Sequence, residues 1–183
     1  MPCLHVLSGP CGCGKSTLAD AWAARRVHSG ARHQVYVIHG DAFHRGFVET
    51  ERRVGPDCPG FQYWPDILRF NWECMLFTAG RALARGLDVI IDYVVEDELP
   101  QLRALAKEYG VPLRYAVLTV SQEELEQRLK HRGDPQLIER SLFLKRKLEN
   151  EPQHREHLLD VSGMTVEEAA SALEQRWQEH PAS

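Results

Sequence analysis

Nowhere in the 183 residues does an apolar run approach the roughly 20 residues that a membrane-spanning helix needs, so no membrane partner is expected. A basic excess is missing too. The 22 Lys and Arg stand against 26 Asp and Glu, a formal net charge of −4, which argues against a generic nucleic-acid binder. The five cysteines are odd in number and irregular in spacing, so they do not read as a disulfide framework, and a reducing cytoplasm is the expected setting. No basic segment with an apolar core precedes the first strand pattern, so no secretory signal is expected. Zinc-type spacing is absent, since His154 and His157 have no matching second pair nearby. There is no Gly-x-Ser-x-Gly elbow, no repeat, no low-complexity tract and no long linker. What remains is an ordinary globular chain, 43% hydrophobic and 26% charged, long enough for one domain (1–183) with a substantial core, as a monomer or homodimer.

What is present alternates. Apolar runs over 3–7, 34–39, 87–92, 113–120 and about 157–161 read as strands. Helical patterns cover 15–28, 65–85, 98–108, 122–131, 135–150 and 165–179. Gly86 and Gly110 stand where helices should stop, and Ser121 with Glu124 and Thr165 with Glu168 read as capping boxes. Strand–helix alternation of this kind predicts an α/β fold with a five-stranded parallel sheet between helical layers.

Between the first strand and the first helix lies Gly9-Pro10-Cys11-Gly12-Cys13-Gly14-Lys15-Ser16-Thr17. It fits Gly-x-x-x-x-Gly-Lys-Ser/Thr at every fixed position, and strand, glycine loop and helix is the context that pattern requires. A loop of this kind wraps phosphate oxygens in backbone N–H groups, aided by the helix dipole. Lys15 is then placed for the β- and γ-phosphates and the Ser16 hydroxyl for Mg²⁺. Cys11 and Cys13 read as small loop residues, with a redox or metal pair as the other reading.

In an open α/β sheet, ligands bind beyond the carboxyl ends of the strands. That rule selects Gly40-Asp41, followed by Phe43, His44 and Arg45, after the second strand, and Asp92-Tyr93 after the third. Asp92 ends an Ile-Ile-Asp run, the pattern of a Walker B aspartate that holds Mg²⁺ directly or through water. A carboxylate beside an acceptor hydroxyl would orient it and take its proton, which suits Asp41. The two roles can be exchanged, and each Asp can also be a plain cap of the next element. Residues 43–64 form a long aromatic-rich stretch read as a substrate-side insert, flanked by His44, Arg45, Arg52 and Arg53. Arg128 and Arg132 share a helix face, and Gly133-Asp134-Pro135 follows as a hinge, so residues 128–150 read as a lid, with Arg140 on the next helix. These cations suit a transferring phosphoryl group, and a solvated basic face paired with Glu123, Glu124 and Glu126 is the other reading.

The motif from Gly9 to Thr17, Gly40-Asp41, the Ile-Ile-Asp92 ending, and Arg128 and Arg132 together resemble the P-loop small-molecule kinases of the nucleoside-monophosphate-kinase type. That group includes gluconate kinase, shikimate kinase, adenylylsulfate kinase and chloramphenicol phosphotransferase. The stretch from Gly40 to Gly46 is similar to the Gly-Asp segment of adenylylsulfate kinase. The whole chain, including Asn71-Trp72 and Ile91-Asp92-Tyr93, looks closest to bacterial gluconate-kinase-like proteins. The resemblance implies a P-loop NTPase fold with a helical lid and ATP and Mg²⁺ as cofactors. It implies Asp41 as the acceptor-side base, Arg128 and Arg132 as lid cations, and Ser162-Gly163 beside adenine. Phe43 stands where shikimate kinases carry a second aspartate, and the gluconate-kinase segment after Gly-Asp is not reproduced, so substrate identity does not transfer. The expected activity is ATP-dependent phosphoryl transfer to a hydroxyl of a small molecule, with Lys15, Asp41, Arg128 and Arg132 in catalysis and Asp41, His44, Arg45 and Tyr93 toward the substrate. A nucleotide hydrolase or switch without an acceptor is the alternative, with a nucleic-acid end kinase behind it.

Overall fold

The computed structural model describes residues 1–30, 34–47 and 64–179. Five strands form one all-parallel sheet in the order β2-β3-β1-β4-β5: β1 (Leu4–Ser8), β2 (Val35–His39), β3 (Asp88–Asp92), β4 (Leu113–Thr119) and β5 (Leu158–Asp160). Between and after them run α1 (Lys15–His28), α2 (Asp41–His44), α3 (Trp64–Leu83), α4 (Leu99–Glu108), α5 (Gln122–Arg132), α6 (Ile138–Asn150), α7 (Pro152–Arg155) and α8 (Val166–Glu179). The three-layer α/β architecture expected from the alternation is the one observed.

Side chains of a strand point alternately to opposite faces, and here that alternation divides two cores. Leu4, Val6, Val89, Ile91, Leu113, Tyr115 and Val117 face α3 and α4, where Trp72, Met75, Ala79, Leu83, Leu99 and Leu102 close over them. Leu7, Ile90, Ala116 and Leu118 face α1, α5 and α8, meeting Leu18, Trp22, Leu125, Leu129, Leu173 and Trp177. Both faces of β1 and β3 are covered, so both strands are buried at every residue. The register sets Asp92 beside Leu7 on one side and His39 on the other. The loops that follow β1, β2 and β3 therefore open on the same edge of the sheet.

Several boundaries differ from expectation by a residue, as helix and strand ends commonly do. Two differences are larger. The pattern over 135–150 divides into a 3₁₀ turn, Pro135–Leu137, and α6, because Gly133 closes α5 in the left-handed region (φ 85°) and Pro135 opens the turn. The single turns α2 and α7 were not expected, since four residues are too few for periodicity to register. Of the expected insert, residues 48–63, with Arg52 and Arg53, lie outside the described residues. Thr165 and Glu168 make the full reciprocal box, at 2.8 and 3.3 Å. Ser121 makes only its half: its Oγ accepts from the Glu124 N–H, while its own N–H donates to Ser162 Oγ. Cys3, Cys11, Cys13 and Cys74 are free thiols. Among the described residues no helix is long and apolar enough to cross a membrane.

His5 sits in β1 between Trp22 and Trp177, with ring centroids 4.4 and 4.8 Å away, and its Nδ1–H donates to the Val89 carbonyl at 3.2 Å. Burial, helped by the Arg114 charge, pushes its pKa down from 6.5 to about 3. Below pH 6.5 the unfolded chain binds a proton that the folded chain refuses until about pH 3. This contribution to stability is complete above pH 6.5 and falls as pH drops through that window. The expected slope from this one group is about 1.4 kcal/mol per pH unit. Urea titrations at pH 7.5 and 5 should show it, and His5→Phe should flatten it. An equally steep loss in that variant would assign it to other groups.

Candidate active site

The loop after β1 turns on glycine. Gly9 has φ 143°, and a Cβ there would lie 2.6 Å from the Leu118 carbonyl oxygen and 2.7 Å from Cys13 Sγ, so both the conformation and the space exclude a side chain. Four carbonyls of this loop are held by side chains. Lys15 Nζ donates to Gly9 and Pro10 at 2.9 and 3.0 Å. Ser141 Oγ of α6 donates to Cys11 at 2.6 Å, and Arg128 Nη1 of α5 donates to Cys13 at 2.9 Å. Helix α1 then begins at Lys15 with no side-chain cap. An uncapped helix N-terminus behind a glycine loop is a receptor for anions.

Asp92, at the end of β3, is buried, with 4% of its surface exposed. Its carboxylate accepts from His39 Nδ1–H at 3.0 Å, and the Ser16 hydroxyl beside it favours its charged form. Burial raises its pKa above the usual range, while Ser16, His39 and Lys15 pull it back. A buried carboxylate beside the first-turn hydroxyl of α1 is a donor set of hard oxygens, which fits Mg²⁺. Among the described residues no cluster of three or more His, Cys, Asp or Glu gathers as a self-sufficient metal site.

Asp41 opens α2, directly after β2. One turn on, His44 Nδ1 accepts from Asn71 Nδ2 at 2.9 Å, and its Nε2 pairs with the Tyr93 hydroxyl. Burial lowers the His44 pKa, and Asp41 opposes that. Burial raises the Tyr93 pKa, and the Asp41 charge adds to it. The Tyr93 ring stands edge-on to Trp72, with centroids 5.4 Å apart. It also fills the space beside Gly40, where a Cβ would be 2.2 Å from Tyr93 Cδ2. Gly40 has an ordinary φ of −59°, so it is the ring and not the backbone that requires glycine. Gly40→Ala is expected to destabilise the fold by about 1–3 kcal/mol through overpacking. Urea denaturation checks this, and unchanged stability would mean that Tyr93 has another place to go.

These groups meet around a cavity of about 640 Å³. The residues from Cys11 to Thr17, with Asp41, His44, Asp92, Tyr93, Arg128 and Arg132, all line it. Gly9, Pro10, Arg45, Ser162 and Gly163 do not appear on its wall. Ser162 and Gly163 are engaged elsewhere: the Ser162 hydroxyl donates to Asp160 at 2.6 Å, and the Gly163 N–H donates to Glu124 at 2.9 Å. The wall there is made instead by Val161, Met164, Thr165 and Val166. The expected lid cations are paired: Arg128 with Glu124, Arg132 with Asp134, and Arg140 with Glu96. Glu96, Glu98 and Leu68 also line the cavity, and sequence reasoning did not select them. Nor did it select His39, although it directly precedes Gly40-Asp41. Asn71, which is fully buried, entered the sequence reading only within the Asn71-Trp72 resemblance and was given no role in the site.

The model of the family described as the AAA domain matches residues 4–175. The chain belongs to that family. A comparison with curated proteins returns no match. Among solved structures, this AAA domain is similar to the tunicamycin resistance protein of Deinococcus radiodurans, with 19% identity over 100% of this chain and 99% of that one, TM-score 0.65. It is similar to the APS kinase of Mycobacterium tuberculosis, solved with AMPPNP and APS, with 15% identity over 97% and 98%, TM-score 0.64. It is also similar to a gluconokinase of Sinorhizobium meliloti 1021, with 20% identity over 97% and 95%, TM-score 0.56. The fold of this AAA domain is therefore the one that P-loop small-molecule kinases share, the group that the motifs resemble.

Proposed function

We propose that this AAA domain is a kinase that transfers the γ-phosphoryl group of ATP to a hydroxyl of a small molecule. What carries the reading is one cavity walled at once by the glycine loop with Lys15 and Ser16, by the buried Asp92, and by Asp41 with an aromatic surround. A nucleotide hydrolase or switch has no need of the last of these. The solved relatives named as kinases add support through their shared fold.

In this reading the loop N–H groups and Lys15 hold the nucleotide phosphates, and Lys15 exchanges its contacts with the Gly9 and Pro10 carbonyls for phosphate oxygens. Ser16 and, through water, Asp92 would hold Mg²⁺, which would offset the negative charge that develops during transfer. Asp41 orients the acceptor hydroxyl and takes its proton. Arg128 and Arg132 supply positive charge from the α5 side. His44 and Tyr93 shape the acceptor pocket, with Arg45 at its margin.

The test is ADP release from the purified chain with Mg²⁺ and ATP, screened against sugar acids, nucleosides, aminoglycosides and related hydroxyl compounds. Stimulation by one class, with a phosphorylated product detected by mass spectrometry, supports the reading. ADP release that no acceptor raises would favour the hydrolase or switch instead.

A further inference from the structure

His39 and Asp92 are cross-strand partners at the ends of β2 and β3, and the imidazole Nδ1 lies 3.0 Å from Asp92 Oδ1. On its other side, His39 Nε2 lies 3.3 Å from Asp20 Oδ1. Asp20 is one turn beyond Ser16 on α1, so both are on the same face of that helix. Ser16 in turn lies beside Asp92 and favours its charged form. The four residues close a ring: Ser16 to Asp92, Asp92 to His39, His39 to Asp20, and Asp20 back along α1 to Ser16.

The ring matters because of what a carboxylate can do when it is not held. Asp92 has two equivalent oxygens and a rotatable χ2, and 2% of its side chain is exposed, so solvent does little to orient it. A hydrogen bond from His39 to one oxygen fixes the plane of the group. The Asp20 contact in turn limits rotation of the imidazole. Partners behind a ligand set its direction in this way, and their loss commonly costs about 10–100-fold in metal affinity or activity.

We propose that His39 is a positioning residue for the Mg²⁺ site: its Nδ1–H holds the Asp92 carboxylate in the orientation that meets Ser16 and the metal's water. The inference rests on the proposed role of Asp92, and it reaches the nucleotide through no contact of its own. It separates the two nitrogens of the ring. Asn places its amide nitrogen near the position of Nδ1, and Gln places its own near Nε2.

The experiment is Mn²⁺ binding, followed by electron paramagnetic resonance, to the full chain with a non-hydrolysable ATP analogue. The parent is compared with His39→Asn, His39→Gln and His39→Ala. Analogue binding in EDTA and thermal unfolding are measured beside it. His39→Gln and His39→Ala are expected to weaken Mn²⁺ by about tenfold. His39→Asn should stay within about threefold of the parent, because it keeps the donor toward Asp92. Analogue binding in EDTA should be unchanged throughout. Equal Mn²⁺ binding in all four proteins overturns the proposal and leaves the kinase reading standing. Equal weakening in His39→Asn and His39→Gln, or loss that tracks thermal stability, also overturns it, since a packing role makes no such distinction. A parent that, with the analogue bound, takes up no Mn²⁺ overturns both the proposal and the metal site it depends on.

Discussion

Asp41→Asn is expected to lower acceptor-stimulated ADP release by about 10²–10⁴-fold, with nucleotide affinity within about twofold of the parent. Asn has nearly the same shape and can still open α2, so the substitution removes the charge and the proton acceptor and little else. The Asp41 charge acts on His44 and Tyr93, its neighbours on the acceptor side of the cavity. Removing its charge withdraws the support that keeps the His44 pKa from falling further, so His44 stays a neutral hydrogen-bonding group in the variant. Any turnover without an acceptor should persist, since water needs no base in this position. Acceptor-stimulated release at the parental rate would sink the assignment of Asp41.

Lys15→Ala should be comparably severe and differently distributed. It is expected to cut turnover by about 10²–10³-fold and to weaken nucleotide binding as well, because a cation that follows the phosphates acts in both the bound and the transition state. In the free protein its ammonium joins the Gly9 and Pro10 carbonyls across the loop. Hydrogen bonds to charged groups contribute about 1.5–3 kcal/mol each when well made, and less where water competes. The variant should therefore also show a more mobile loop, seen as faster amide exchange around residues 9–14. Parental turnover in Lys15→Ala would remove the phosphate role of the loop, and with it the basis for the kinase reading.

The middle of the sheet was legible because burial on both faces writes β1 and β3 as plain apolar runs: Ile90-Ile91-Asp92 needs no partner to be recognised. The glycine loop was legible for a similar reason, since its chemistry lies within nine consecutive residues. What escaped was set by register and by the approach of distant segments. The His39–Asp92 pair exists because β2 lies beside β3, a neighbourhood that no local pattern encodes. Asn71 meets His44 across 27 positions of sequence. The arginines of α5 and α6 singled out in the sequence line the cavity, but their carboxylate partners were visible only in part. Glu124 could be paired with Arg128 from helix spacing, while the contact of Arg140 with Glu96 spans 44 positions. Ser162 and Gly163 show the converse, since a family's expected base-side residues are here committed to Asp160, Ser121 and Glu124.

Of the chain's four indoles, Trp22, Trp72 and Trp177 are divided between the two sides of the sheet. Trp72 stands edge-on to Tyr93 at the cavity, whereas Trp22 and Trp177 pack against each other and His5 on the far face, with centroids 5.2 Å apart for the indole pair. The emission of these three indoles therefore carries two separate messages. Light from Trp72 responds to an occupant beside Tyr93, and light from the other two responds to the parting of α1 from α8. In a Trp64→Phe background, which removes the fourth indole, replacing Trp72 with Phe would darken the first signal and leave the second, so occupancy and integrity of the molecule can be followed in one cuvette without an attached dye.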